Sequence, residues 1–283
     1  MTSNMLINNR TASTLLVGDV IAERAYYGSS EVFIAPEDVF DPDAANYIES
    51  VEVEDGQALE EGVKQAIDNF VTGCKADGIW GALKASCILA GARTLNGALV
   101  PLAGPAPTNF NFVSADYDRV TGLKGDGDTK YLDSNRAGNA DPQNNHHHSV
   151  FVSSPNTGME SVKTYLGTGG GTGHSHILTF SSSIRFRNRA NAQNPRGDGT
   201  EVGFMGSSRN QATAFNSFLA GVLQAVDIGS DGNAVDTFNV FSRSTSNYSN
   251  GRISFYSIGE AVDLAALDAR VTTLMAEIEV ALT

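Results

Sequence analysis

The side chains with which this sequence could hold a ligand fall into three groups: histidines, aspartates in glycine-containing loops, and tyrosines near turns. His146, His147 and His148 lead directly into SVFV; in a strand, His146 and His148 share one face and His147 takes the other. A zinc site needs further Cys, His or carboxylate ligands at known spacing, and none flanks the run, so a structural or surface role is expected. His174 and His176, after GTGGGTG, also share a strand face and could join a carbohydrate or metal site. Asp126 and Asp128, and later Asp227, Asp231, Asn233 and Asp236, are oxygen donors of the kind Ca2+ takes, though neither set has EF-hand spacing. Ca2+ is the one cofactor this pattern admits, and no metal site is assigned. Tyr131, Tyr165 and Tyr248 offer ring faces on which a sugar can stack while Asp and Asn supply hydrogen bonds, and each equally suits a half-buried sheet position.

Other chemistries find little support. GTGGGTG, residues 167–173, lacks the Lys and Ser or Thr of a phosphate loop and has no βαβ surroundings, so it reads as a flexible connection between strands. No E-x-D-x-E strand offers paired carboxylates for glycoside hydrolysis, and no G-x-S-x-G elbow offers a serine nucleophile. The chain is therefore read as a non-enzyme. Cys74 and Cys87 exclude a disulfide framework and an all-cysteine zinc site; free core thiols are expected, with a bridge between them the alternative.

The elements that must position these residues follow from periodicity. Beyond residue 100, apolar or aromatic runs such as HSVFVS, HILTFS, SIRFRN, TFNVFS and RISFYS recur between turn signals, the pattern of two packed antiparallel sheets. Asn210–Val226 can be read as a helix or as a strand pair. Ahead of the sandwich, LLVGDVI and AYYGSSEVFI predict short strands joined by tight turns within residues 1–50, serving as a docking arm or as a leading hairpin, and APEDVFDPDA predicts a linker. From Leu59 the period becomes helical through Val63, Ile67, Phe70, Val71 and Cys74. Asp77 is placed to cap a second helix carrying Trp80, Leu83, Cys87 and Ala90, which would complete a helical hairpin over 51–100; Gly91–Asn109 then reads as the hinge into a sandwich over 101–258. Within a final helix, 259–283, Leu264, Leu267, Val271, Leu274 and Ile278 follow heptad spacing, which suits an oligomer seam or a helix lying on its own sandwich.

The 283 residues carry 19 Lys and Arg against 32 Asp and Glu, a formal charge of -13. That balance disfavours nucleic acid and anionic membranes as partners and weighs against reading the hairpin as a helix-turn-helix. No apolar run is long enough to span a bilayer, and the start, MTSNMLINNR, lacks a Sec-type signal, so no membrane insertion is expected. A charged fraction of 18% with 29 Gly suits an all-β sandwich with many turns.

The stretch TNFNFVSADYDRVTGLKGDGDTKYLD, Thr108–Asp133, resembles the opening of a concanavalin/laminin-G-like jelly roll of the kind found on outer proteins of tailed bacteriophages. The likeness continues through Tyr131–Pro155 and Gly251–Val271, where SFYSIGE leads into the terminal helix. It implies a mainly β protein: an antiparallel jelly-roll sandwich with an N-terminal β arm, a small helical hairpin and a C-terminal helix. It further implies a virion protein, a fibre, spike or head decoration, assembled in the host cytoplasm, whose partners are other virion proteins, further copies of itself, with a trimer favoured, and a host surface glycan. The alternative is a carbohydrate-binding module, followed by a polysaccharide-degrading enzyme.

Overall fold

A computed structural model describes residues 40–169 and 172–283, together with the backbone of four strands within 4–33. The chain divides into two compact units, Met1–Asp41 and Pro42–Thr283. In the first, Asn4–Ile7, Arg10–Val17, Val20–Tyr27 and Ser30–Phe33 pair in sequence order as an antiparallel meander. The tight turns expected at 18–19 and 28–29 lie outside the described residues, as do residues 35–39 of the expected linker; its last three residues, 42–44, are the first of a helix instead.

The second unit opens with helix α1, Pro42–Asp55, and helix α2, Glu61–Ala76. Proline suits the first position of α1 because its missing N–H would have no helical acceptor there. Ala44, Tyr47, Ile48 and Val51 form the buried stripe of α1, and Val63, Ile67, Phe70, Val71 and Cys74 that of α2. The second helix expected after Asp77 is not formed. Asp77 instead closes α2, a short 3-10 turn spans Trp80–Ala82, and Leu83–Ile88 is a strand of the sandwich. LKASCI is almost wholly buried, so it has no polar face to turn to solvent as an amphipathic helix would.

Two antiparallel sheets make the sandwich. The first runs Val222–Val226, Phe215–Leu219, Gly203–Arg209, His146–Ser154, Arg252–Gly259, Gly122–Lys124, Tyr117–Asp118, with Leu83–Ile88 also paired to Arg252–Gly259. The second runs Asn194–Arg196, Ser183–Asn188, Ser175–Phe180, Lys163–Gly167, Thr237–Val240, Tyr131–Ala137, Thr108–Phe110. Alternation assigns the faces: Ile184, Phe186 and Asn188 are buried while Ser183, Arg185 and Arg187 are partly exposed. Val150, Val152, Met205 and Ile253 of one sheet share the core with Leu166, Ile177, Phe186 and Val240 of the other. The segment read as helix or strand pair is a hairpin whose turn, Ala220 and Gly221, takes φ of 51° and 76°, the sense that suits a tight hairpin.

Helix α3 is the single turn Leu95–Ala98, and helix α4 is Leu264–Leu282, capped by the Asp263 carboxylate, which accepts from the N–H groups of Ala265 and Ala266. The heptad positions of α4 are not open to form an oligomer seam. Leu264, Leu267, Val271, Leu274 and Ile278 are at most 2% exposed, packed against α2 and the strand Gly203–Arg209 of the same chain. The 3,4 spacing that would suit a partner helix suits α2 equally, and Arg270 fixes the pairing with a two-pronged bond to Asp77 at 2.7 and 3.0 Å. Among the described residues no helix is long and apolar enough to cross a membrane.

Candidate functional site

Three neighbouring strands of the second sheet turn a mixed aromatic and polar surface outward. On Tyr131–Ala137, alternation buries Leu132 and Ser134 and leaves Tyr131 and Asp133 facing out. Phe110 pairs across strands with Tyr131, and the rings stack with centroids 4.3 Å apart and planes within 3°. On the other side Asn239 pairs with Asp133, next to an irregularity in register between Thr237 and Asn239. The Thr237 hydroxyl donates to Asp133 Oδ2 at 2.9 Å, and the Asn135 N–H donates to Oδ1 at 2.8 Å.

A turn after Val240 closes over these residues. Its path needs positive φ at Ser244, Thr245 and Asn247, and the Tyr248 hydroxyl holds it by donating to the Thr245 carbonyl at 2.9 Å. The Ser244 hydroxyl donates to Asp236 Oδ2 at 3.3 Å. Gly169 lies directly behind: a Cβ there would fall 1.0 Å from Ser244 Oγ, so no larger residue fits without moving the turn. The result is a groove of about 300 Å³ lined by Tyr131, Asp133, Asp236, Asn239, Ser244 and Thr245 among others. Phe110, 37% exposed, extends the aromatic edge beyond Tyr131, and Tyr248 meets Tyr131 at a tilt, 6.1 Å between centroids. Burial raises the Tyr131 hydroxyl's pKa, with the Tyr248 and Asp133 sites adding to it, so the phenol is a neutral hydroxyl at physiological pH.

Asn239 is the most informative member. Only 5% of it is exposed, it lines the groove, and its side-chain amide has no hydrogen-bond partner among the described residues. The amide itself opens onto the groove, since neither of its polar atoms is sealed from solvent. An unpaired one in a groove wall is a donor and acceptor set waiting for a ligand or water.

Of the tyrosines expected to contact ligand, Tyr131 and Tyr248 belong to this surface. Tyr165 does not: it is fully buried, its hydroxyl accepts from the Asn156 N–H at 2.8 Å, and burial pushes its pKa up to about 12. Its strand is covered on both faces, so the ring fills core instead of reaching solvent. His176 is likewise fully buried, its Nδ1 facing Arg243 Nη1 at 3.5 Å, and cannot touch a ligand; His174, half-buried, sits near Asp236 without lining the groove. Asp126 is a turn-former. Its Oδ1 accepts from the N–H groups of Asp128, Thr129 and Lys130, and its Oδ2 from the Thr129 hydroxyl. Burial opposes ionisation there, but those bonds together pull the carboxyl well below the usual range. Asp128 is exposed and away from the groove. Among the described residues no three His, Cys, Asp or Glu side chains converge to hold a metal ion.

The histidine run is buried throughout. His146 and His148 point into the sandwich beside Phe238, their rings 5.4 Å apart, while His147 faces the other way. There the Glu260 carbonyl accepts from His147 Nδ1, which fixes the tautomer, so Nε2 accepts from the Ser257 hydroxyl at 2.9 Å. The glycine-rich connection is also tighter than expected at its described positions: a Cβ at Gly167 would lie 2.9 Å from His176 Cβ, and one at Gly173 2.1 Å from the Gly232 carbonyl oxygen. Sequence reasoning singled out neither Phe110, Asp133 nor Asn239 as a contact, although the alternation of YLDSN and TFNV places their outward residues side by side once the register is known.

No family model matches the chain, and no curated protein matches it. Among solved structures it is similar to the botulinum neurotoxin serotype D binding domain, with a TM-score of 0.49 and 11% identity over 71% of this chain and 52% of that one. The serotype G binding domain gives a TM-score of 0.48 at 10% identity, over 66% of this chain and 50% of that one. Domain 4 of AbnA, a GH43 extracellular arabinanase from Geobacillus stearothermophilus solved with arabinotriose, gives 0.41 at 13% identity, over 59% of this chain and 82% of that one. The chain spans about half the length of the neurotoxin binding domains it matches. At these scores nothing about a ligand transfers to this chain.

Proposed function

We propose that this protein is a lectin-like β-sandwich that binds a glycan in the groove between Tyr131 and Thr245. The Asn239 amide, on a nearly buried residue yet open to the groove and without a protein partner among the described residues, carries the reading. Around it stand the groups a sugar needs: an aromatic cluster of Tyr131 with Phe110 and Tyr248 packed on it, whose outer edge can meet the sugar's C–H surface, carboxylate acceptors for its hydroxyls at Asp133 and Asp236, and hydroxyls at Ser244 and Thr245. The groove is open and shallow, which suits an extended oligosaccharide better than a small enclosed metabolite.

A glycan array probed with the wild type and with Asn239→Ala tests this. Removing the amide should weaken the bound glycans roughly fivefold to tenfold, the worth of about one hydrogen bond, and Tyr131→Ala should weaken them at least as much. Binding unaffected by both changes, or no binding anywhere on the array, would end the proposal. Release of reducing ends from a bound oligosaccharide would replace binding with hydrolysis. Display of the sandwich on a phage particle, which the sequence resemblance implies, would give the separate N-terminal meander a docking role. Mass spectrometry of purified virions tests that part, and absence of the chain would remove it.

A further inference from the structure

Charge is the feature of the groove that shape does not explain. We propose, building on the glycan-binding reading, that the groove selects sugars by charge: it takes neutral and amine-bearing residues and rejects those carrying a carboxylate or sulfate.

Two of its walls are carboxylates, Asp133 and Asp236, and every hydrogen bond they accept comes from a neutral donor, the Asn135 N–H and the hydroxyls of Thr237 and Ser244. No Lys, Arg or His nitrogen lies within ion-pair distance of either among the described residues. The nearest cations along the chain are engaged elsewhere. Lys130 Nζ pairs with Asp116 at 2.5 Å, Arg136 pairs with Asp141, and Arg243 directs Nη1 inward to His176. His174 does not compensate either: burial, then the Arg187 and Arg243 charges, push its pKa down and keep the ring neutral at pH 7.

An anionic sugar seated about 5 Å from one of these carboxylates loses roughly fourfold in affinity at bulk-water dielectric, and over a hundredfold at the lower value typical of a protein surface. A protonated amine at the same place gains by a similar factor. The net charge of -13 adds to the bias at longer range, and salt weakens all of it. The unpaired Asn239 amide marks the same wall as a ligand contact, so the two carboxylates are part of a binding surface and not merely solvated charges.

The test uses the full chain and an array of neutral, amine-bearing and acidic oligosaccharides of varied linkage, with hits titrated calorimetrically at pH 6.5 in low salt. The expected hits are neutral or amine-bearing, with amine-bearing sugars at least tenfold tighter than acidic sugars of the same linkage. That ratio should shrink in 0.5 M NaCl and in an Asp133→Asn/Asp236→Asn variant whose thermal melt matches the wild type. Acidic sugars bound as tightly as their amine-bearing counterparts would overturn the charge rule while leaving glycan binding intact. Absence of any hit would overturn the glycan reading and the rule with it. If the double variant fails to fold, the single variants and the salt series decide the same question.

Discussion

Acidification should loosen the sandwich before its carboxylates begin to titrate. His146, His147, His148 and His176 have no exposed surface. Burial is the first cause that depresses each imidazole, bringing His147 to about 4 and His148 to about 3. The Arg189 charge acts the same way on His146, and those of Arg243 and Arg187 on His176; at His147 the Glu260 carbonyl and Asp141 oppose the shift without reversing it. In the unfolded chain these rings take a proton near pH 6.5. Between that value and 3 to 4 the unfolded state therefore binds more protons, and stability falls as pH falls, beginning near 6.5 and ending near 3. From pH 7 to pH 5, His147 and His148 each remove about 2 kcal/mol, about 4 kcal/mol together, a large part of the 5–15 kcal/mol typical of a domain. Asp118 and Glu60, whose folded pKa values are lowered by bonds to Thr121 and Arg119, withdraw their contributions only as pH falls below about 4.5, outside this window. Urea denaturation at pH 7, 6 and 5, followed by the fluorescence of the single Trp80, measures the loss. His148→Gln, which cannot titrate, should recover about 2 kcal/mol of it. Stability that stays within about 1 kcal/mol from pH 7 to 5 would refute the reasoning.

Three further outcomes follow from particular contacts. Leu267→Ala, at a fully buried position of α4, should cost about 2–5 kcal/mol in denaturant while leaving the native mass by light scattering unchanged; a change of mass without loss of stability would return the helix to an oligomer seam. Asp126→Ala should destabilise by about 1–3 kcal/mol through the backbone N–H groups it leaves without an acceptor, and a chelator should leave the wild-type melting temperature unmoved; a drop with chelator would establish a metal site. Cys74 and Cys87, both buried free thiols pushed up to about 12, should react with a thiol reagent only on unfolding, and fast reaction in the native protein would contradict their burial.

Much of this architecture can be read from periodicity, because the residues that fix it are local. The stripe from Leu59 to Cys74 specifies α2, and alternation in SIRFRN specifies which face of its strand is core. Periodicity misleads where an element is covered on both sides: Trp80, Leu83, Cys87 and Ala90 fit a helix on paper, yet Leu83–Ile88 is a buried strand whose small and apolar residues need no polar face. Helix α1 was hidden behind the acidic and proline-bearing text that precedes it, although Ala44, Tyr47, Ile48 and Val51 have helical spacing. For α4 the spacing left two partners open, and the one it meets lies in its own chain, since a heptad pattern does not say whose surface it faces.

The groove is less legible, for a physical reason. Tyr131 and Tyr165 are the same residue type at the same kind of position, and only sheet order makes one a platform and the other core. Phe110, Asp133 and Asn239 are brought together by cross-strand register between segments more than 20 residues apart, in one case over 100, which no local pattern encodes.

Nuclear magnetic resonance can locate a bound glycan residue by residue. An oligosaccharide found to bind should be titrated into isotopically labelled protein. Perturbed amides should cluster at 110, 131–135 and 236–248, with the Asn239 side-chain NH2 pair among the largest shifts. Perturbations centred anywhere else, with the Asn239 side chain unmoved, would contradict binding in the groove.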